Sequence, residues 1–363
     1  MPSKSKILGS SWDFSSLWNE SLHTIPERVL VPRNYIYASE LMGSYIERYL
    51  KMNGVVPSNP PNDRSLRKFS AGHVFEWIVG LVLTLTGVLK SRQLRGEYQL
   101  NGMLPVAGRL DFIAGGTVDW DAARKEVENI QKLFSVSMSD MPPIVFHAIE
   151  KVLASFEAQF KNNPLKEVVF ECKSVSSFMS EKLERTNEPM PHHVMQVQHY
   201  LLCNGLDEGM LFYVSKDDLL SYQFPVFNDK KTLELYAADV AQMTEYYNQG
   251  FNKKNPLKLA PPKDKEVLFD DMTFNFRSNY KVEYSNYLSF VYGYESPMSY
   301  RERWDKSVAS WNRVFKRCVK RDKMTAANME VIDDGKKIFP EWDTLVDIAR
   351  KAGAFKKDDT DGE

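Results

Sequence analysis

Asp111 and the triplet Glu171-Cys172-Lys173 are the residues of this 363-residue chain best placed to do chemistry. Each lies in or ends a short apolar run, residues 104–113 (LPVAGRLDFI) and 167–171 (EVVFE), that reads as a buried strand. Charge in such a strand is costly unless something compensates it. Two carboxylates and a lysine supply a reason: carboxylate oxygens hold a hard divalent cation, and an ammonium beside them serves the attacking water or a scissile phosphate. In a strand, residues i and i+2 share a face, so Glu171 and Lys173 project together and Cys172 points away. Read alone, the triplet is more simply an ordinary ion pair at a strand end, with Asp111 capping a turn. The flanking residues decide between the two.

Upstream, Gly72-His73-Val74-Phe75-Glu76 sits on an apolar segment, residues 67–89, that reads as a long buried helix carrying Glu76 inward. Residues 97–104 and 106–114 read as a hairpin whose second arm presents Asp111. Residues 116–164 form an unusually long connection between neighbouring strands, with two helices at 119–134 and 142–160 split at Met141-Pro142-Pro143. They are a cap over a substrate channel or a decoration. After the strand 167–173 and a polar loop, residues 191–204 read as a helix with Gln196 and Tyr200 on one face. Strands at 210–215 and 221–226, a helix at 230–247 and a Lys- and Pro-rich linker at 252–265 follow. Residues 39–53 read as a helix, and residues 1–34 as a loose lead-in interrupted by Pro26 and Pro32.

The order Gly-x3-Glu (Gly72, Glu76), Gly-x-x-Asp (Gly108, Asp111), Glu-x-Lys (Glu171, Lys173) and His-x-x-Gln-x3-Tyr (His193, Gln196, Tyr200) resembles the PD-(D/E)XK nucleases, in the RecB-like and CRISPR-adaptation exonuclease branch. The likeness covers residues 35–225. It implies an α/β fold with a restriction-endonuclease-like core, a central mixed β-sheet flanked by helices, here with the helical insertion and a helical C-terminal extension, residues 251–363. It also implies that Asp111 and Glu171 bind Mg²⁺ or Mn²⁺, with the Cys172 carbonyl and Glu76 as further ligands, that Lys173 is the catalytic lysine, and that Gln196, Tyr200 and His193 meet the DNA strand. Many members of that branch carry four cysteines around an iron–sulfur cluster. This chain has Cys172, Cys203 and Cys318 only, so no iron–sulfur cluster is expected.

Composition agrees with a globular protein of one large or two modest domains. Three cysteines without regular spacing fit a reducing compartment, and residues 1–18 contain no signal-peptide pattern, so a cytoplasmic location is expected. The longest apolar stretch, residues 77–89, falls short of the roughly 20 residues that span a bilayer, and no membrane association is expected. Neighbouring His192 and His193 lack a Cys pair beside them, so structural zinc is not expected either. A formal net charge of −1 gives no global argument for nucleic acid. Locally, residues 301–323 place nine Lys or Arg against three acids, interleaved with Trp304, Trp311 and Phe315. That pattern fits a backbone groove with base stacking or a solvated amphipathic helix.

The resulting expectation is a metal-dependent DNA exonuclease acting in replication, recombination or repair. Arg109, one alternation before Asp111, and Ser174, just past the lysine, are candidates for gripping the strand, although Arg109 serves equally as a salt-bridge partner. The alternatives are a structure- or sequence-selective endonuclease on the same fold and a non-catalytic DNA-binding or assembly protein. No G-x4-G-K-[ST] motif is present, so ATP-driven translocation would need a helicase partner. By resemblance, the cluster-free pattern with its long insertion fits a bacteriophage enzyme working with a single-strand annealing protein in the host cytoplasm, as a monomer or an oligomer.

Overall fold

The computed structural model describes residues 31–137 and 143–355. The lead-in up to residue 30 and the Met141-Pro142 break lie outside the described residues. Contacts divide the chain into two units. The first runs to Gly43 and takes in Arg48–Val55 and Pro61–Ala260; the second comprises Ser44–Glu47, Val56–Pro60 and the chain from Pro261 onward.

The elements before the linker are β1 (Ile36–Tyr37), α1 (Tyr45–Met52), α2 (Asp63–Leu85), β2 (Leu89–Tyr98), β3 (Val106–Ala114), α3 (Trp120–Ser137), α4 (Pro143–Phe160), β4 (Val168–Val175), α5 (Ser177–Thr186), α6 (Pro191–Asn204), β5 (Glu208–Ser215), β6 (Ser221–Phe227) and α7 (Lys230–Asn248). The first unit is a mixed α/β structure: a six-stranded mixed sheet, ordered β1-β3-β4-β5-β6 with β2 on β3, flanked by helices. β2 pairs antiparallel with β3 along its whole length. β1 and β4 therefore share the other edge of β3, β1 at Val106–Ala107 and β4 at Phe112–Ala114. Residues 108–111 between them have no strand partner on that edge.

α6 is delimited as its sequence dictates. Pro191 opens it with a preset φ, and Gly205 closes it at φ +63°. Its Val197 and Leu201 side chains are fully buried. The fit to the sheet is close: a Cβ built on Gly209 of β5 would stand 2.5 Å from Val197 Cγ1 and 3.3 Å from the Val169 carbonyl oxygen. That glycine sets how near α6 approaches the sheet at β5.

Two expectations are corrected. The hairpin's first arm begins at Leu89, because α2 stops at Leu85 and turns at Gly87, φ +74°. And α2 is not a buried core helix. It contains no fully buried residue, and Phe69, Val74, Trp77, Ile78 and Val82 are between 44% and 59% exposed. It meets the sheet through glycines: a Cβ at Gly80 would lie 2.9 Å from the Phe112 ring and one at Gly72 3.3 Å from Ser174 Oγ. By length and composition alone, α2 is long and apolar enough to cross a membrane. Its contacts with β3 and β4 make it part of the first unit.

The insertion forms two helices, α3 and α4, around a small core of Trp120, Val127 and Leu153. The second unit has its own core. A hairpin of β7 (Val267–Asp270) and β8 (Asn275–Ser278) packs with α8 (Tyr280–Glu283), α9 (Pro297–Lys320), α10 (Ala326–Ile338) and α11 (Trp342–Lys351). Phe276 lies at its centre, stacked on Trp342 with ring centroids 4.9 Å apart. Asn312 of α9 brackets the Phe276 backbone, accepting its N–H at 2.6 Å and donating to its carbonyl at 2.8 Å.

The Gly209 contact makes a prediction about the site as well as the fold. Gly209→Ala should cost about 1–3 kcal/mol in denaturant unfolding, the usual range for overpacking, and should lower activity more than a substitution of equal cost in the second unit. Equal losses at equal stability would show that the spacing between α6 and β5 does not matter.

Candidate active site

β3 and β4 pair antiparallel only through Phe112↔Phe170, Ile113↔Val169 and Ala114↔Val168. The next pair in that register would be Asp111 and Glu171, directly opposite and so on one face. The strands part there instead. The Asp111 carboxylate fills the parting, with Oδ2 accepting the Cys172 N–H at 2.9 Å. Lower on the same open edge, the Tyr200 hydroxyl donates to the Arg109 carbonyl at 3.0 Å, so side chains satisfy backbone groups that the ladder leaves.

Glu171 is 1% exposed. Its Oε1 accepts from Lys173 Nζ at 2.5 Å and from Gln196 Nε2 at 2.8 Å, and Gln196 Nε2 also lies 3.1 Å from the Tyr200 hydroxyl. Among the described residues its buried Oε2 makes no hydrogen bond of ordinary geometry, although the Asp111 backbone N–H lies near enough to the carboxylate to favour its charge. Burial, then the Glu171 charge, push Asp111 from 3.8 up to about 8. Burial likewise raises Glu171, against the opposing pull of Lys173. For Lys173, burial works to lower the pKa, but Glu171 and Asp111 outweigh it and hold the ammonium above its ordinary value. Two buried carboxylates share one lysine, and the pair lacks positive charge.

The remaining predicted residues are placed as follows. Glu76 of α2 adds negative potential at both carboxylates. Its own carboxylate accepts a hydrogen bond from Gln93 and stands 3.6 Å from His73 Nδ1. Among the described residues no three His, Cys, Asp or Glu side chains converge into a metal cage. Cys172 contributes its backbone N–H; burial pushes its thiol up to about 12, which leaves it protonated. Ser174, one residue off the Glu171/Lys173 alternation, faces Gly72 of α2. His193 Nδ1 shares a hydrogen bond with the Tyr213 hydroxyl at 2.9 Å. Burial, with His192 and Lys173 nearby, holds its pKa well below 6.5, so the ring is neutral. The Arg109 side chain is exposed, and no salt bridge ties it among the described residues.

Three residues were not singled out from sequence. Gln93 bonds to Glu76, and its β2 position faces Asp111 between the pairs Arg92↔Phe112 and Leu94↔Leu110, with φ at +54°. A side chain in that left-handed region mid-strand is strained, as positions at functional sites often are. Arg95 stands directly opposite Arg109, which puts two cations on one face of the hairpin. Tyr213 anchors His193 and accepts the Met190 N–H at 3.2 Å. Only pairing register exposes the first two, and Tyr213 lies in an apolar run that reads as core.

The donors fit a hard divalent cation. Mg²⁺ is commonly bound by one or two carboxylates, with waters and substrate phosphate completing its shell. Asp111 and Glu171 Oε2 provide that pair.

No family model and no curated protein matches this sequence. Among solved structures, the chain is similar to SSO0001, with TM-score 0.37 and 16% identity over 68% of this chain and 94% of that one. It is similar to LHK-Exo in complex with dAMP, with TM-score 0.35 and 11% identity over 59% and 87%. The alkaline exonuclease LHK-Exo from Laribacter hongkongensis matches with TM-score 0.28 and 11% identity over 64% and 96%. These likenesses are loose, and the reading of the site stands on its own side chains.

Folded Asp111 keeps its proton up to about pH 8, whereas an unfolded aspartate loses it near 3.8. The group therefore favours the metal-free fold at low pH and loses that contribution as pH rises between those values. Asp111→Asn cannot ionise but still accepts from Cys172. In EDTA its melting temperature should climb relative to wild type from pH 4 to pH 8. A difference that stays constant across that range would contradict the charge deficit.

Proposed function

We propose that the protein is a metal-dependent deoxyribonuclease, most simply an exonuclease, with Asp111, Glu171 and Lys173 as its reaction centre. The observation that carries this reading is a pair of buried carboxylates, Asp111 and Glu171, where the sheet parts, with one lysine between them and Glu171 Oε2 held by no side chain among the described residues. Such a pair is a costly arrangement for a purely structural role.

Asp111, Glu171 and the Cys172 carbonyl would hold Mg²⁺ or Mn²⁺, with Glu76 adding to the local negative potential. When bound, the cation supplies Lewis-acid stabilisation of charge developing on the phosphate. The chain's own residues do the rest. Lys173, fixed by its bond to Glu171, holds its ammonium where a phosphate oxygen or the attacking water would sit. Gln196 occupies Glu171 Oε1 and so leaves Oε2 free for the cation. Tyr200 ties α6 to β3 at Arg109 and keeps Gln196 in register. Arg109 and Arg95 on the hairpin face grip phosphates by charge, with His193 closer to the lysine. The exonuclease choice, the DNA substrate, a role in recombination or repair and a bacteriophage source with an annealing-protein or helicase partner rest on the motif resemblance.

Digestion of end-labelled linear and covalently closed circular DNA, with Mg²⁺, Mn²⁺ or EDTA, tests the reading. We expect metal-dependent loss of linear DNA alone, reduced at least about 10²-fold by Lys173→Ala, on the scale of losing one charge-stabilising group. Cutting of closed circles would move the assignment to an endonuclease. No cutting by folded, metal-supplied protein would sink the enzyme reading and leave a binding or assembly role.

A further inference from the structure

The basic stretch of α9 admitted two readings from sequence, and the side chains separate its components. Trp304, Trp311 and Phe315 are buried in the core of the second unit, at 6%, 1% and 0% exposure, so they cannot stack on bases. Eight of the nine cations lie on the other side, and Arg301 pairs with Glu283 instead. Arg303, Lys306, Arg313, Lys316, Arg317 and Lys320 are exposed, and Arg321 and Lys323 continue them past the helix end. Positions 303, 306, 313, 317 and 320 recur at three, four or seven residues, which draws one stripe along the helix. At 1.5 Å per residue the stripe runs about 25 Å.

The neighbouring cations show what is unusual about it. Elsewhere in this unit Lys265, Arg277, Arg301, Lys336, Lys337 and Arg350 each have a carboxylate within 4.0 Å, whereas Lys263 and Lys351, like the α9 cations, have none among the described residues. Among the described residues none of the eight outward cations, the five of the stripe included, has one. Arg303 instead covers the Trp304 ring at 4.6 Å, and Lys316 the Phe355 ring at 5.5 Å. Like charges three and four residues apart weaken a helix, and Arg321 holds a left-handed φ of +58° where glycine is favoured. Attraction to the helix C-terminus accounts for Arg317 and Lys320, but not for Arg303, Lys306 or Arg313.

We infer that the outward face of α9 is a docking surface for the phosphate backbone of duplex DNA, engaged without regard to sequence. A regular row of cations with no exposed aromatic among them suits a regular row of phosphates. It does not suit unstacked single strands, whose binding leans on aromatic platforms. The surface supplies affinity by counterion release and holds the polymer between encounters with a reaction centre. It rests on the nuclease reading only for the choice of DNA among polyanions.

The test is binding of the full chain to a labelled duplex in EDTA, where nothing is cut, as salt rises from about 50 to about 200 mM. Replacing Arg313, Arg317 and Lys320 together by Gln should reduce the slope of log K against log salt by about 2–3. The matched variant Arg277→Gln, Lys336→Gln, Lys337→Gln removes the same charge from acid-paired positions and should leave the slope nearly unchanged. Melting temperatures confirm that both variants fold. Equal slope losses in the two variants, or none in the first, would overturn the inference. So would single strands binding as tightly as duplex, or polyglutamate competing as well as duplex at equal charge, the latter marking an acidic protein as partner. The metal-supplied digestion assay keeps the two readings apart. A responsive slope without Lys173-dependent digestion preserves docking and removes the nuclease; digestion with an unresponsive slope does the reverse.

Discussion

Where β3 leaves β4, the sheet stops satisfying its own backbone, and the rest of the site follows from that parting. Past Phe112↔Phe170 the next residues are both acids, and the Asp111 carboxylate takes the Cys172 N–H that a longer ladder would have taken. The open edge of β3 also receives the Tyr200 hydroxyl at Arg109. These substitutions of side chain for ladder keep the edge from costing unpaired groups, and they fix α6 and β4 about a shared opening. Glu171 is held on one oxygen by Lys173 and Gln196 and left open on the other.

Electrostatics then gives the opening its chemistry. Desolvation raises both carboxylates, the Glu171 charge raises Asp111 further, and the lysine offsets part of the cost. A cavity that stabilised the metal-free fold would have paired Glu171 Oε2 or replaced Asp111. Instead the site keeps two desolvated carboxylates against one lysine, a cost in stability of the kind that functional sites commonly bear. Glu76, Gln93 and His73 form a chain at the α2 side that adds potential without closing a cage.

Much of this was legible in residue order. The Glu171/Lys173 alternation, the Asp111 arm, the α6 helix with Gln196 and Tyr200 on one face and the two insertion helices all follow from period, caps and breakers. What was not legible depends on long-range pairing. The residues 67–89 read as buried because they are apolar, yet α2 meets the sheet through Gly72 and Gly80 and leaves Trp77 and Ile78 to solvent. Arg95 and Gln93 acquire meaning only from register with Arg109 and Asp111. In the second unit, the same periodicity that mixed cations with aromatics around α9 sorts them to opposite sides once Phe276 and Trp342 supply a core. Sequence holds both components of such a helix without saying which of them faces water.

The most direct measurement of the central claim is calorimetric titration of Mn²⁺ into the full chain at neutral pH, in two buffers of different ionisation enthalpy, with wild type, Asp111→Asn and Glu171→Gln. The account predicts binding in wild type with a proton released, because a carboxyl held to about pH 8 must give up its proton to a cation. It also predicts that either substitution removes both the binding and the proton. Binding that persists unchanged in both variants, or that releases no proton, would contradict it.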